Sequence, residues 1–306
     1  MIAIRHGFES LGMPLVYYVW EPAERPAGSE LETVVLLHGY LDHALSFSPV
    51  AEALARRYRV VAIDHRGHGD SGRVGPGGYY HFPDYVLDLA GLFDAIRAER
   101  AHLVGHSMGA SIACYFAGTF PERVRSLVLL DGIGPTAPPH ERGPATMRRW
   151  VNDVKLVGQR EDSPMGSLDE VAERLSRMSP MAPRERLLAM ARTAAEEGLD
   201  GFRWRFDPLH RTTAPVPFDA ARFAAFLSAI ACPTLLVWGE RTPMKPPDVE
   251  ARKRLIAGLS ERVLPGAAHN LHHERPSELT VLLAEFLDAH GAGQLDAVSD
   301  PLGEPG

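Results

Sequence analysis

Residues 103–111 read LVGHSMGAS, an apolar pair running into Gly-His-Ser-Met-Gly and then into small residues. Gly-x-Ser-x-Gly alone is weak evidence, because glycines flank serines in many ordinary turns. The flanking segments decide its meaning. Where a buried strand enters the motif and a helix leaves it, Gly105 and Gly109 permit a sharp turn and a close helix–sheet approach. Ser107 then projects its Oγ for nucleophilic attack, and the Met108 N–H at the helix start points at the developing oxyanion. The stretch LLHGYLDHALSF at 36–47 offers a second donor, because a strand ending in His38-Gly39 is followed by the backbone N–H of Tyr40. The plain alternatives are a structural turn at Ser107 and a strand-end turn at Tyr40.

A serine hydroxyl is a poor nucleophile near neutral pH and needs a base. The late stretch VLPGAAHNLHHERP offers His269, His272 and His273. His269 follows a strand and a small-residue turn, which suits a loop at the carboxyl edge of a sheet. His272 and His273 fall at or near the start of the last helix. A metal site built from these histidines and Glu274 lacks companion ligands elsewhere in the chain.

The elements that must position these groups are visible as short apolar runs alternating with longer amphipathic ones, the pattern of a mostly parallel sheet covered by helices. Strands are expected at 15–20 (antiparallel), 33–39, 59–64, 102–106, 125–131, 233–239 and 261–266. Helices are expected at 47–58, 85–99, 107–120 and 276–290. Between Pro135 and Ile230 no comparable strand run occurs, only helical stretches such as ERGPATMRRWVNDVKL and DEVAERLSRM. The chain therefore divides into a core, 1–134 and 231–290, and a helical cap inserted at 135–230. The segment 291–306 is rich in Gly, Pro and Asp with little to bury, and a disordered tail is expected there.

Across about residues 1–290 the chain resembles the α/β-hydrolase fold family. The matching residues are His38-Gly39-Tyr40, DHRGHGDS (64–71), GHSMG (105–109) and AHNLHHERP (268–276). The resemblance implies a mostly parallel eight-stranded sheet, with Ser107 as nucleophile, His269 as base and the amides of Tyr40 and Met108 as oxyanion hole. It also implies that DHRGHGDS is a structural turn, so that His65 and His68 are not catalytic. YYHFPDY, LVLLDGIGP and WRFDPLH resemble a bacterial subgroup close to the serine hydrolase-like proteins. Many members carry the triad acid at the fourth place of Gly-x-x-Asp after the strand matching PTLLVWG. Here that place holds Thr242, after Gly239, Glu240 and Arg241. Asp131, at the end of RSLVLLD, is the favoured replacement, in the manner of the haloalkane dehalogenases. Glu240 and Asp248 are alternative acids, Asp131 could merely cap the turn DGIG, and a chain with no working acid stays open.

With 306 residues, 45% apolar and 23% charged, the composition is that of an ordinary globular protein. A net charge of −7 offers no basic field for nucleic acid or an anionic membrane. No stretch approaches the ~18 apolar residues of a membrane span, and a cytoplasmic protein is expected. Cys114 and Cys232 read as buried free thiols. The Gly-rich loop GRVGPGGYYHF lacks a Lys-Ser/Thr ending and reads as a surface loop. Arg148, Arg149, Arg203 and Arg205 read mostly as solvated, with one or two available to an acidic substrate, and Trp150, Trp204 and Phe206 as cap packing. No cofactor is signalled. The expected activity is hydrolysis of a small-molecule carboxylic ester through an acyl-enzyme. A carbon–carbon bond hydrolase of the same fold and a silent ligand-binding protein are the alternatives.

Overall fold

The computed structural model describes residues 2–22, 31–157 and 164–291, and the expected tail at 292–306 lies outside the described residues. The elements in chain order are β1 (Ile4–Ser10), β2 (Met13–Trp20), β3 (Thr33–Leu37), α1 (Ser48–Leu54), β4 (Arg59–Asp64), α2 (Phe82–Ala95) and β5 (Ala101–His106). Next come α3 (Met108–Thr119), β6 (Val124–Leu130), α4 (Gly143–Val157), α5 (Leu168–Met178), α6 (Arg184–Ala194), β7 (Ala195–Gly198), β8 (Gly201–Trp204) and α7 (Ala220–Ala229). The chain closes with β9 (Thr234–Gly239), α8 (Val249–Lys253), β10 (Ser260–Leu264), α9 (Leu271–Glu274) and α10 (Pro276–Asp288).

The main sheet has eight strands in the order β1-β2-β4-β3-β5-β6-β9-β10. β2 runs antiparallel to both β1 and β4, and the run β4-β3-β5-β6-β9-β10 is parallel at every pairing. β3, β5, β6 and β9 are buried along almost their whole length, as expected of parallel strands covered on both faces. Two apolar cores result. One joins α2, α3 and α7 to one face through Phe93, Phe116, Phe223 and Leu236. The other joins α1 and α10 to the opposite face through Phe47, Leu36, Val237 and Leu283.

The insertion differs in two ways from the helical cap expected of it. β7 and β8 form a hairpin there, Glu196 opposite Arg203, beside α5 and α6 around a separate core of Met165, Val171, Leu187 and Met190. α7 packs against the main sheet, with Phe223 and Leu227 fully buried among core residues. Small residues of α3 let it come so close that a Cβ on Gly118 would lie 2.4 Å from the Phe226 carbonyl oxygen. Trp204 stacks on Phe206 and Trp150 meets Tyr79 edge-on. Arg205 pairs with Asp70 and Arg203 with Asp200. Both cysteines are buried free thiols. Among the described residues no helix is long and apolar enough to cross a membrane.

Candidate active site

The carboxyl ends of β3, β5, β6, β9 and β10 bring five loops to one edge of the sheet, the place where open parallel sheets hold their ligands. β5 runs into Ser107, whose backbone takes φ 51° and ψ −108° before α3 begins at Met108. A non-glycine residue there is strained by about 1–3 kcal/mol and persists only where its surroundings fix it. The Ser107 N–H donates to the Leu130 carbonyl at 2.9 Å, and its own carbonyl accepts from Ser111 N–H at 3.2 Å. A Cβ on Gly105 would lie 2.4 Å from the Gly109 carbonyl oxygen, and one on Gly109 would lie 2.2 Å from that of Leu37. Only glycines allow strand, turn and helix to approach so closely.

His269 lies in the loop after β10 and presents Nε2 to the Ser107 Oγ at 3.0 Å. Its Nδ1–H donates to Asp131 Oδ2 at 2.6 Å. The loop crosses the end of β9 so tightly that a Cβ on Gly239 would meet the Ala268 carbonyl oxygen at 1.8 Å. Asp131, also at positive φ (48°), follows directly on β6 and is only 1% exposed. Its Oδ1 accepts the Gly239 N–H at 2.9 Å, and its Oδ2 accepts the Thr242 hydroxyl at 2.5 Å. The carboxylate is therefore oriented by two donors away from water and aimed at one imidazole.

The alternative acids lie elsewhere. Glu240 is exposed and its Oε2 accepts the Gly266 N–H at 3.0 Å. Asp248 pairs with Arg252 at 2.9 Å, while that guanidinium also donates to the carbonyls of Ile133 and Pro135.

At the end of β3, His38 is fully buried and its ring spans two backbone groups. The His65 N–H donates to Nε2 at 3.0 Å, so the proton sits on Nδ1 and is donated to the Gly39 carbonyl at 2.8 Å. In a trans peptide the carbonyl and the following N–H point in opposite directions. Holding the Gly39 carbonyl therefore turns the Tyr40 N–H the other way. A Cβ on Gly39 would lie 3.4 Å from the Ser107 Cβ, which places this loop against the turn at Ser107. The Met108 N–H is in the first turn of α3, where the helix supplies no acceptor. His65 and His68 are buried within the 64–71 turn, and burial pushes His65 down to about 3. His68 stacks on His210, which stacks on Tyr80, whose hydroxyl donates to Asp207 at 2.7 Å.

His272 and His273 belong to the one-turn α9 and not to the last helix, from which Arg275 separates them. The companions missing from the linear sequence are present: Asp42, His106 and His272 bring ligand-type atoms within 4.8 Å of one another. Glu274 is not among them and accepts instead from the N–H groups of Ala268 and Met181. The hydrogen bonds fit a proton-bearing network better than a cation, because Asp42 Oδ2 already accepts from Ser46 Oγ, His272 Nε2 and His273 Nε2. Metal binding through His272 Nε2 would move its proton to Nδ1, which is buried without a hydrogen-bond partner among the described residues.

Comparison with known proteins agrees with this architecture. A serine hydrolase-like protein of Danio rerio is 26% identical over 292 residues, covering 92% of this chain and 87% of that one. The 2-(acetamidomethylene)succinate hydrolase of Mesorhizobium japonicum is 28% identical over 260 residues, covering 84% of this chain and 88% of that one. The crystal structure of a hypothetical protein from Pseudomonas aeruginosa PAO1 superposes with a TM-score of 0.81 at 27% identity, covering 94% of this chain and 98% of that one. The family model described as the alpha/beta hydrolase fold matches residues 32–276, core strands and insertion together, and the chain belongs to that family.

Proposed function

We propose that the protein is a serine hydrolase that cleaves a carboxylic ester through an acyl-enzyme. The observation that carries this reading is the continuous chain from Ser107 Oγ to His269 Nε2 (3.0 Å) and from His269 Nδ1 to Asp131 Oδ2 (2.6 Å). Ser107 attacks the carbonyl carbon while His269 takes its proton. The negative charge that develops on the carbonyl oxygen is met by the N–H groups of Met108 and Tyr40. The imidazolium, held by Asp131, then gives its proton to the departing alcohol. Water repeats the sequence, with His269 again as base, and frees the acid and the serine. No step calls for a cofactor.

The segment 135–230 is, in this reading, a cap over the carboxyl edge that shapes the substrate site. Its anchors to the core include the Tyr40 hydroxyl on the His210 carbonyl at 2.6 Å and the Asp207 N–H on the Gly67 carbonyl at 2.7 Å. The relative from Mesorhizobium japonicum carries a name other than that of an ester hydrolase, which keeps other hydrolysed bonds in view. A panel of nitrophenyl esters of increasing acyl length, run beside a vinylogous diketone, separates the readings. Turnover of at least one ester that falls about 10⁶-fold in Ser107→Ala is expected. Cleavage of the diketone alone would move the assignment to carbon–carbon bond hydrolysis.

A further inference from the structure

Asp42 lies three residues beyond Gly39, in the turn that carries the Tyr40 amide, and its own N–H closes that turn on the Gly39 carbonyl at 3.3 Å. Its carboxylate reaches into the base loop. Oδ2 accepts from His272 Nε2 at 3.1 Å, from His273 Nε2 at 3.2 Å and from Ser46 Oγ at 2.8 Å. His43 Nδ1 lies 3.4 Å from Oδ1. Each of the two base-loop imidazoles has its proton fixed by these partners. With Nε2–H of His273 on the carboxylate, Nδ1 is left to accept from Ser179 Oγ at 2.9 Å, whose lone pair takes the Asn270 Nδ2 hydrogen at 3.0 Å. Between the loops stands His106, the residue before the nucleophile, with its Nε2–H on the His269 carbonyl at 2.9 Å and its ring 4.7 Å from that of His272. Burial opposes ionisation of Asp42, but the neighbouring imidazole of His273 and the hydrogen bonds from His272, His273 and His43 outweigh it and hold the carboxyl well below the usual range.

We infer that Asp42 is a positioning residue that fixes the base loop against the oxyanion loop, acting through His272 and His273 without touching substrate. This rests on the serine-hydrolase reading above. An acyl transfer needs the His269 Nε2, the Ser107 Oγ and the two amides in one geometry, and a displacement of about 1 Å can cost on the order of 100-fold. Two of the three loops concerned are joined at this one carboxylate. Asparagine in its place keeps an accepting oxygen but no charge, so the three donors on Oδ2 are held more weakly, and its NH₂ group falls in the place of Oδ1 beside His43 Nδ1. His272 cannot answer by moving its proton to Nδ1 without burying a donor that has no acceptor among the described residues.

The test uses the full chain with p-nitrophenyl acetate as substrate and a fluorophosphonate to count competent Ser107 sites, so that turnover is read per labelled site. Asp42→Asn is expected to lose about 10- to 100-fold in kcat per labelled site with KM within about threefold. A purely structural role would lower the number of labelled sites and leave turnover per site unchanged. Should Asp42→Asn fail to fold, His273 decides. His273→Gln keeps a donor near Nε2 and is expected to stay within about threefold, whereas His273→Leu removes it and is expected to lose about tenfold or more. Labelling of the parent with unchanged kcat per site in Asp42→Asn, or in His273→Leu where Asp42→Asn does not fold, overturns the positioning role alone. Failure of the parent to label at Ser107 removes the serine-hydrolase reading and this inference with it.

Discussion

Thr242 stands where many members of the family carry the acid, and its hydroxyl donates to the carboxylate that the site does contain. In the proposed triad the departure from the familiar motif is accompanied by a local compensation, an acceptor directly after β6 supported by a donor after β9. Replacing Asp131 with Asn keeps the shape but favours the wrong tautomer of His269, a change that costs about 10⁴-fold in the worked example of the serine proteases. Asp131→Asn is therefore expected to lose roughly 10³- to 10⁴-fold in kcat with little change in KM, by steady-state kinetics on a nitrophenyl ester. Glu240→Gln, at an exposed carboxylate bound to the Gly266 amide, is expected to lose less than about tenfold. Reversed results would assign the acid to Glu240. Ser107 and His269 were readable from local context, because each sits at a join of strand and turn. Asp42 was not readable, since its partners lie about 230 positions away and no local spacing announces them.

At the scale of elements, the buried parallel strands were legible because β3, β5, β6 and β9 are apolar without interruption. β1 was not. It is an edge strand mostly exposed along its length, so IRHGFES shows no apolar face to read. The hairpin β7–β8 was hidden for a related reason, since AEEG and GFRW are short, half-exposed and strongly polar at Glu196, Glu197 and Arg203. α7 was assigned to the insertion by its position in sequence, yet it covers α3. Phe223 is fully buried there, within 5.0 Å of Tyr115 and 5.3 Å of Phe218 by ring centroids. Removing its ring leaves a cavity in the main core, and Phe223→Ala is expected to cost about 3–5 kcal/mol by urea unfolding. A cost below about 1 kcal/mol would mean that α7 is a detachable part of the cap.

For the molecule as a whole, the unusual feature is how many histidines it buries uncharged. Burial pushes His65, His102 and His272 down to about 3 and His210 to about 4, and it holds His38, His68 and His106 well below their ordinary 6.5. Below pH ~6.5 the unfolded chain takes up protons at these positions while the folded chain does not, so the folded state loses ground as pH falls. Each such group contributes a slope of up to about 1.4 kcal/mol per pH unit between its unfolded and folded values. Burial raises Asp64 to about 6 and raises Glu274 as well, which act in the opposite direction, but as two groups against seven. Stability is therefore expected to be flat above pH ~6.5 and to fall steeply toward pH 4, measured as the urea midpoint. A midpoint that holds steady across that range would show that these imidazoles are accessible or charged in the folded protein.

The most direct measurement of the central claim is the mass of the peptide containing Ser107 after brief treatment with a fluorophosphonate, in the parent and in His269→Ala. A hydroxyl activated by a neighbouring imidazole reacts fast, and a free serine does not. A single phosphonyl adduct on Ser107 in the parent, lost or slowed at least about 100-fold in His269→Ala, is the predicted result. No adduct on Ser107, or equal labelling in both proteins, would contradict the account.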